Sequence, residues 1–148
     1  MVPALLVQAV LACCLALLAQ QPTAGPRPLE GTYWKAIELD GKPVPLRDSN
    51  REVYLLLQER GRVLGSDGCN RVAGKYEVKK TSVKFGDMAA TRMACIDAGG
   101  IDVAFREALK SARRLTVAGE HLELFDAKNR RVAVFLAASS HPADPGKG

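Results

Sequence analysis

The feature that most limits the fold is a cadence of short β-type segments between Thr32 and Ala137. Thr32 to Leu39 is rich in aromatic and β-branched residues and stops at Asp40-Gly41, a turn dipeptide. Pro43 and Pro45 keep the next stretch irregular. Glu52 to Gln58 sets Val53, Leu55 and Leu57 on one face of a strand, and Glu59 to Arg62 turns into Val63 and Leu64 as a hairpin. Lys75 to Val78 and Ser82 to Phe85 are short strands around Lys79-Lys80-Thr81, and His121 to Phe125 and Arg131 to Ala137 flank a second hairpin turn at Asp126 to Asn129. One segment has the helical period instead: Ile101, Phe105, Ala108, Leu109 and Ala112 share a face. Gly99-Gly100 precedes it, Asp102 suits its first turn, and Lys110, Arg113 and Arg114 suit its last, where cations complement the macrodipole. Strands, one helix and further strands predict a mostly β fold of α+β type, an antiparallel sheet or barrel carrying a packed helix.

The ends of the chain read differently. Met1 to Ala19 is nearly continuous apolar sequence, broken by Pro3 and Gln8, with no Lys or Arg before Arg27. The apolar centre matches a secretory signal, although the usual positive start is reduced to the amino terminus. A retained anchor is the alternative, because a membrane span needs about 20 residues. Residues 1–24 are therefore expected to be a signal peptide, and cleavage after Ala19 and after Ala24 both fit. Val10 to Cys13 resembles a lipoprotein box in which Cys13 would carry the lipid. The apolar run from Cys14 to Ala19, where a polar tether belongs, argues against it. Residues 25–30 close a proline-rich linker, 31–137 form one domain of ordinary size, and 138–148 are expected to be a disordered tail.

With Cys13 and Cys14 in the leader, Cys69 and Cys95 remain. An even pair in an exported domain reads as a disulfide, since the periplasm and the exterior are oxidising; a free buried pair is the alternative. The net charge is +5, carried partly by the scattered doublets Lys79-Lys80, Arg113-Arg114 and Arg130-Arg131. No aromatic residues interleave them, so nucleic acid is not an expected partner. A solvated basic face is expected, and attraction to an anionic membrane surface stays open. His121 and His141 have no ligand cluster around them in sequence, so no metal site is expected. The chain has no Gly-x-Ser-x-Gly elbow, no Cys-x-x-Cys, no P-loop and no dinucleotide fingerprint. Neither a cofactor nor an enzyme activity is expected.

Gly61 to Asn70 ends in Asp67-Gly68-Cys69-Asn70, followed by Gly74-Lys75-Tyr76 and by Phe85-Gly86-Asp87-Met88 running through Thr91 and Met93 to Cys95. This succession resembles the META domain family, which includes the heat-shock protein HslJ. Weaker features, Trp34, Phe105, Leu109 and Phe135, extend the likeness over Gly31 to Ala137. The family often opens its helix with Glu; here Asp102 stands nearest that place, after a glycine-rich Ala98-Gly99-Gly100. The resemblance implies a lipocalin-like, partly open antiparallel β-barrel with a helix packed on it. It also implies an envelope or secreted location, often as a lipoprotein, and a link to stress responses; it supplies no catalytic residues.

On their own chemistry, Gly68, Gly74 and Gly86 permit turns or close backbone approach, and Asp67 and Asn70 can bond local backbone. Met88 and Met93 are expected as adaptable core filler. A recognition surface around Asp67, Asn70, Thr91 and Arg92 is the functional alternative, and turn chemistry explains those residues better. Two functions follow. One is a non-enzymatic, monomeric protein of the periplasm or envelope, lipid-anchored or secreted, acting in stress by contact with a protein or surface. The other is a carrier whose barrel mouth holds a small apolar ligand. A filled barrel interior favours the first.

Overall fold

The computed structural model describes residues 25–96 and 99–138. The leader with Cys13, and the tail beyond Ala138, lie outside them. The strands are β1 (Tyr33–Leu39), β2 (Lys42–Pro43), β3 (Val53–Gln58), β4 (Arg62–Asp67), β5 (Arg71–Lys79), β6 (Ser82–Ala90), β7 (Arg114–Ala118), β8 (His121–Phe125) and β9 (Arg131–Ala138), with one α-helix, α1 (Ile101–Ser111), between β6 and β7. Every pairing between strands is antiparallel. The order is β2-β1-β3-β4-β5-β6-β7-β8-β9, and β1 also pairs β9, from Tyr33↔Ala138 to Leu39↔Ala133, which closes the ring. β2 is a two-residue strand attached to β1 beyond the Asp40-Gly41 turn.

One seam of this barrel is narrow. β6 meets β7 only at Ser82↔Arg114, through Val83 N–H to the Arg113 carbonyl (3.0 Å) and Leu115 N–H to the Thr81 carbonyl (2.8 Å). Beyond that point β6 runs on without β7. The lipocalin-like, partly open barrel expected from the sequence is thus a complete ring with one short join.

The alternation of β3 works as its sequence requires, with Val53, Leu55 and Leu57 inward. Trp34, Leu55, Leu57, Val63, Phe105, Leu122, Leu124 and Phe135 are each 1 % exposed or less and belong to one cluster inside the barrel. Trp34 is pinned by its indole N–H donating to the Leu29 carbonyl at 2.9 Å. The helix buries Phe105, Ala108 and Leu109, with Ala112 just past its end, and lies against β1, β4, β6 and β9. Phe105 meets Phe135 edge-on, their centroids 6.5 Å apart. Glu107 and Lys110 face water. Gly100 enters the helix at φ 78°, in the left-handed region, and Arg113 Nη1 donates to the carbonyls of Lys110 (2.9 Å) and Ala112 (2.7 Å) at its other end.

The element boundaries differ from the sequence reading in several places. Residues 27–30 do not behave as a linker: Arg27 N–H donates to the Gly119 carbonyl (3.0 Å), Leu29 packs on the core and Glu30 bridges to Leu57. Ala138 is strand rather than tail. β7 was not expected at all, and β5 and β6 are longer than Lys75 to Val78 and Ser82 to Phe85.

Candidate functional site

The end of β4 carries the motif turn. Asp67 is 1 % exposed, and its Oδ1 accepts the backbone N–H groups of Cys69 (3.0 Å) and Asn70 (2.6 Å) while its own N–H donates to the Asn70 carbonyl (3.0 Å). Gly68 takes φ 87°, and its N–H donates to Ser66 Oγ at 3.1 Å. The Asn70 side chain then reaches across the turn. Its Oδ1 accepts Met93 N–H (2.7 Å) and the Thr91 hydroxyl (3.3 Å), while Thr91 Oγ1 accepts Arg71 N–H (3.1 Å). Cys69 and Cys95 form a disulfide, with Cα atoms 5.9 Å apart, that closes the same junction covalently. Of the residues weighed as a recognition surface, Asp67 and Asn70 are therefore buried structural groups, whereas Thr91 and Arg92 are exposed.

Asp67 Oδ2 is the buried side-chain oxygen that, among the described residues, accepts no hydrogen bond; Arg106 Nε lies 3.7 Å from it. Arg106 also pairs with Asp102 at 3.1 Å. Sequence reasoning did not single out Arg106, although its position four residues after Asp102 on one helix face was a readable signal.

Two expectations fail. Met88 and Met93 are not core filler but lie 36 % and 64 % exposed. Met93 sits on the segment that Asn70 and the disulfide hold outside the barrel, and the Met88 thioether lies over Gly74, where a side chain would collide with it. Tyr76 and Phe85 are core residues, their ring centroids 6.5 Å apart.

Other buried polar groups are satisfied by internal partners. The Tyr33 hydroxyl donates to Glu52 Oε2 at 2.6 Å, and Lys35 Nζ pairs with Glu52 Oε1. Burial, and then this bond to Glu52, drive the Tyr33 hydroxyl far above the usual tyrosine range. Tyr76 is raised in the same way, by burial and then by its 2.6 Å bond to Glu30 Oε1. Asp126 is held below the usual carboxylate range, chiefly by the backbone N–H of Arg130 at 2.9 Å. The basic doublets are partly spent inside the fold: Arg114 lies over the Phe125 ring at 3.9 Å, Arg130 pairs with Asp126, and Arg131 bridges Glu38 (3.0 Å) and Glu123 (3.2 Å).

Two concave surfaces flank the motif. A hollow of about 380 Å³ beside the disulfide is lined by Arg47, Arg51, Gly68, Met93 and Ile96. At its rim Met93 is 64 % and Ile96 98 % exposed, apolar side chains left in water. A cleft of about 310 Å³ lies between β6 and α1, floored by Val72, Phe85 and Leu109 and edged by Met88, Arg106, Glu107 and Lys110. Arg47, Arg51 and Ile96 were not found from sequence, since nothing in a lone apolar residue after Cys95 signals exposure.

An NMR structure of a protein from Burkholderia xenovorans has the same fold (TM-score 0.60, 23% identity, 82% of this chain and 97% of that one). A second NMR structure matches similarly (TM-score 0.59, 23% identity, 73% and 91% covered). No curated protein sequence gives a significant match. The profile of the META domain matches residues 27–139, a span that includes the docked segment from Arg27, the cystine-linked turn, the helix and the closing strand β9, and the chain belongs to the META domain family.

Proposed function

We propose that the protein is a non-enzymatic, exported, monomeric component of the cell envelope, stress-related, that acts by contact with another protein or a surface. The observation that carries this reading is the hollow beside Cys69–Cys95, where Met93 and Ile96 are exposed next to Arg47 and Arg51. Apolar side chains gathered at one place on a soluble surface mark interaction sites more often than accidents. The side chains of Trp34, Phe105 and Phe135 fill the interior, so the outer surface is what remains for recognition. The cystine suits an oxidising compartment. Arg114, Arg130 and Arg131 engage Phe125, Asp126, Glu38 and Glu123, which leaves little of a continuous basic track for nucleic acid.

A small-ligand carrier is the second reading, and the apolar floor of the cleft between β6 and α1 favours it. A native mass spectrum of the protein purified from the envelope separates the two. A mature N-terminus, processed after the leader or lipidated at Cys13, with no bound small molecule supports contact. A stoichiometric apolar ligand supports the carrier. Full-length protein in the cytosol overturns both.

A further inference from the structure

A strand that runs on past its neighbour leaves main-chain groups without a strand partner, and β6 does so beside a cleft. Val83 N–H donates outward to Arg113, so by strand alternation Phe85 presents its N–H and carbonyl to the same edge. At the other end Thr91 N–H points inward to the Arg71 carbonyl (3.0 Å), so Ala90 again presents the outer edge. Among the described residues no strand pairs with this edge between Phe85 and Ala90. Elsewhere the ring hands each strand on to a neighbour, so this stretch is the gap in a ladder that β7 begins at Ser82. Unpaired strand edges are templates for another strand.

We propose that the outer edge of β6 from Phe85 to Ala90, with the cleft under α1, binds an extended peptide segment of a partner protein by strand addition, antiparallel to β6 in the place β7 vacates. The choice of occupant follows from the chemistry. The edge offers the main-chain groups of Phe85 and Ala90 on either side of the bulge at Asp87, donors and acceptors that another extended main chain can pair. The floor of Val72, Phe85 and Leu109 takes alternate apolar side chains, and Glu107 and Lys110 on the rim provide one charge of each sign for the polar ones. A compact apolar ligand would fill the floor but leave the edge unpaired. This site extends the contact reading and is separate from the hollow at Ile96.

The test is selection of random ten-residue peptides on the purified full chain with its disulfide intact, followed by binding to two variants. Ala90→Pro removes an outward donor without touching the bonds to β5. Glu107→Trp keeps the edge and fills the cleft. The expected result is enrichment of sequences with alternating apolar residues, whose affinity falls about tenfold or more in both variants, a loss of roughly 1.4 kcal/mol. Bound peptide should also slow amide exchange at Phe85 and Ala90. If Ala90→Pro does not fold, Glu107→Trp and the exchange pattern decide. No enrichment, or peptides that bind both variants as well as the parent, overturns the proposal. Peptides lost only with Ile96→Ser would overturn it too, while leaving the contact reading intact.

Discussion

Cutting the Cys69–Cys95 bridge frees a loop whose ends are 26 residues apart. In the loop-entropy account a cross-link of that span removes roughly 3.5 kcal/mol of freedom from the unfolded chain at 25 °C. A domain of this size has a total stability of roughly 5–15 kcal/mol, so the bridge is a large share of it. The native side should change little. Asn70 still holds Met93 and Thr91, and Asp67 still holds the turn, without the sulfurs. The loss is therefore expected mainly through the unfolded state. Trp34, the single tryptophan and fully buried, gives the signal for urea melts of oxidised protein and of reduced, alkylated protein. Cys69→Ala, Cys95→Ala and the double variant should all lose about the same roughly 3.5 kcal/mol, because each opens the same loop. A reduction effect below about 1 kcal/mol would refute the argument, as would a double variant that loses the sum of the singles.

Phe105→Ala should cost roughly 3–5 kcal/mol in the same melt, since the ring is 0 % exposed and packs on Phe135; a change below about 1 kcal/mol would remove it from the core. Asp67→Ala should lose roughly 2–3 kcal/mol by leaving the N–H groups of Cys69 and Asn70 without their acceptor, and Asp67→Asn, which keeps an oxygen there, should recover much of it. Equal losses in the two Asp67 variants would count against the turn-capping role. Tyr33 and Tyr76 have folded pKa values above the ordinary 10.0, so their contribution is complete below that pH and is lost as pH rises further. Ultraviolet titration should show both staying protonated until the barrel unfolds; early tyrosinate from Tyr33→Phe-sensitive absorbance would contradict the buried Glu52 pairing.

The sequence made the hairpins and the helix legible because their signals are local. Val53, Leu55 and Leu57 alternate without interruption, and Ile101 to Ala112 keeps one face over three turns. β7 escaped because Leu115 and Val117 follow directly on the helical stripe, and Arg113 and Arg114 had already been assigned to the helix end. Arg113 does cap that end, whereas Arg114 opens the next strand. The outer halves of β5 and β6 escaped for a different reason. Ala73, Gly74, Gly86, Ala89 and Ala90 are poor strand formers, and only long-range pairing makes them strand. The motif cysteines were legible through compartment chemistry. The exposure of Met88 and Met93 was not, because a methionine is as suited to core as to surface until its neighbours are placed.

Those weak strand residues form one device. β6 carries a bulge at Asp87, where φ is 50°, and the register with β5 shifts between Ala73 and Lys75. Opposite the bulge stands Gly74, where a Cβ would meet the Met88 sulfur and the carbonyl oxygens of Asp87 and Gly86 at 3.0 Å. The extra residue reverses which way the following groups face, so Thr91 turns toward Arg71, Met93 reaches Asn70 and Cys95 reaches Cys69. The pairing with β7 ends earlier, at Ser82, because the chain ahead of Arg114 is the helix α1 rather than strand. The path of the cysteine segment is then a consequence of the bulge, and Gly74 permits it. Gly74→Ala should cost roughly 1–3 kcal/mol by pushing the bulge away, and should slow re-formation of the Cys69–Cys95 bond from the reduced protein. Met88→Ala in the same chain should recover only part of the loss, because the two carbonyl oxygens remain. A neutral Gly74→Ala, with disulfide formation unchanged, would mean that the bulge does not aim the cysteine segment.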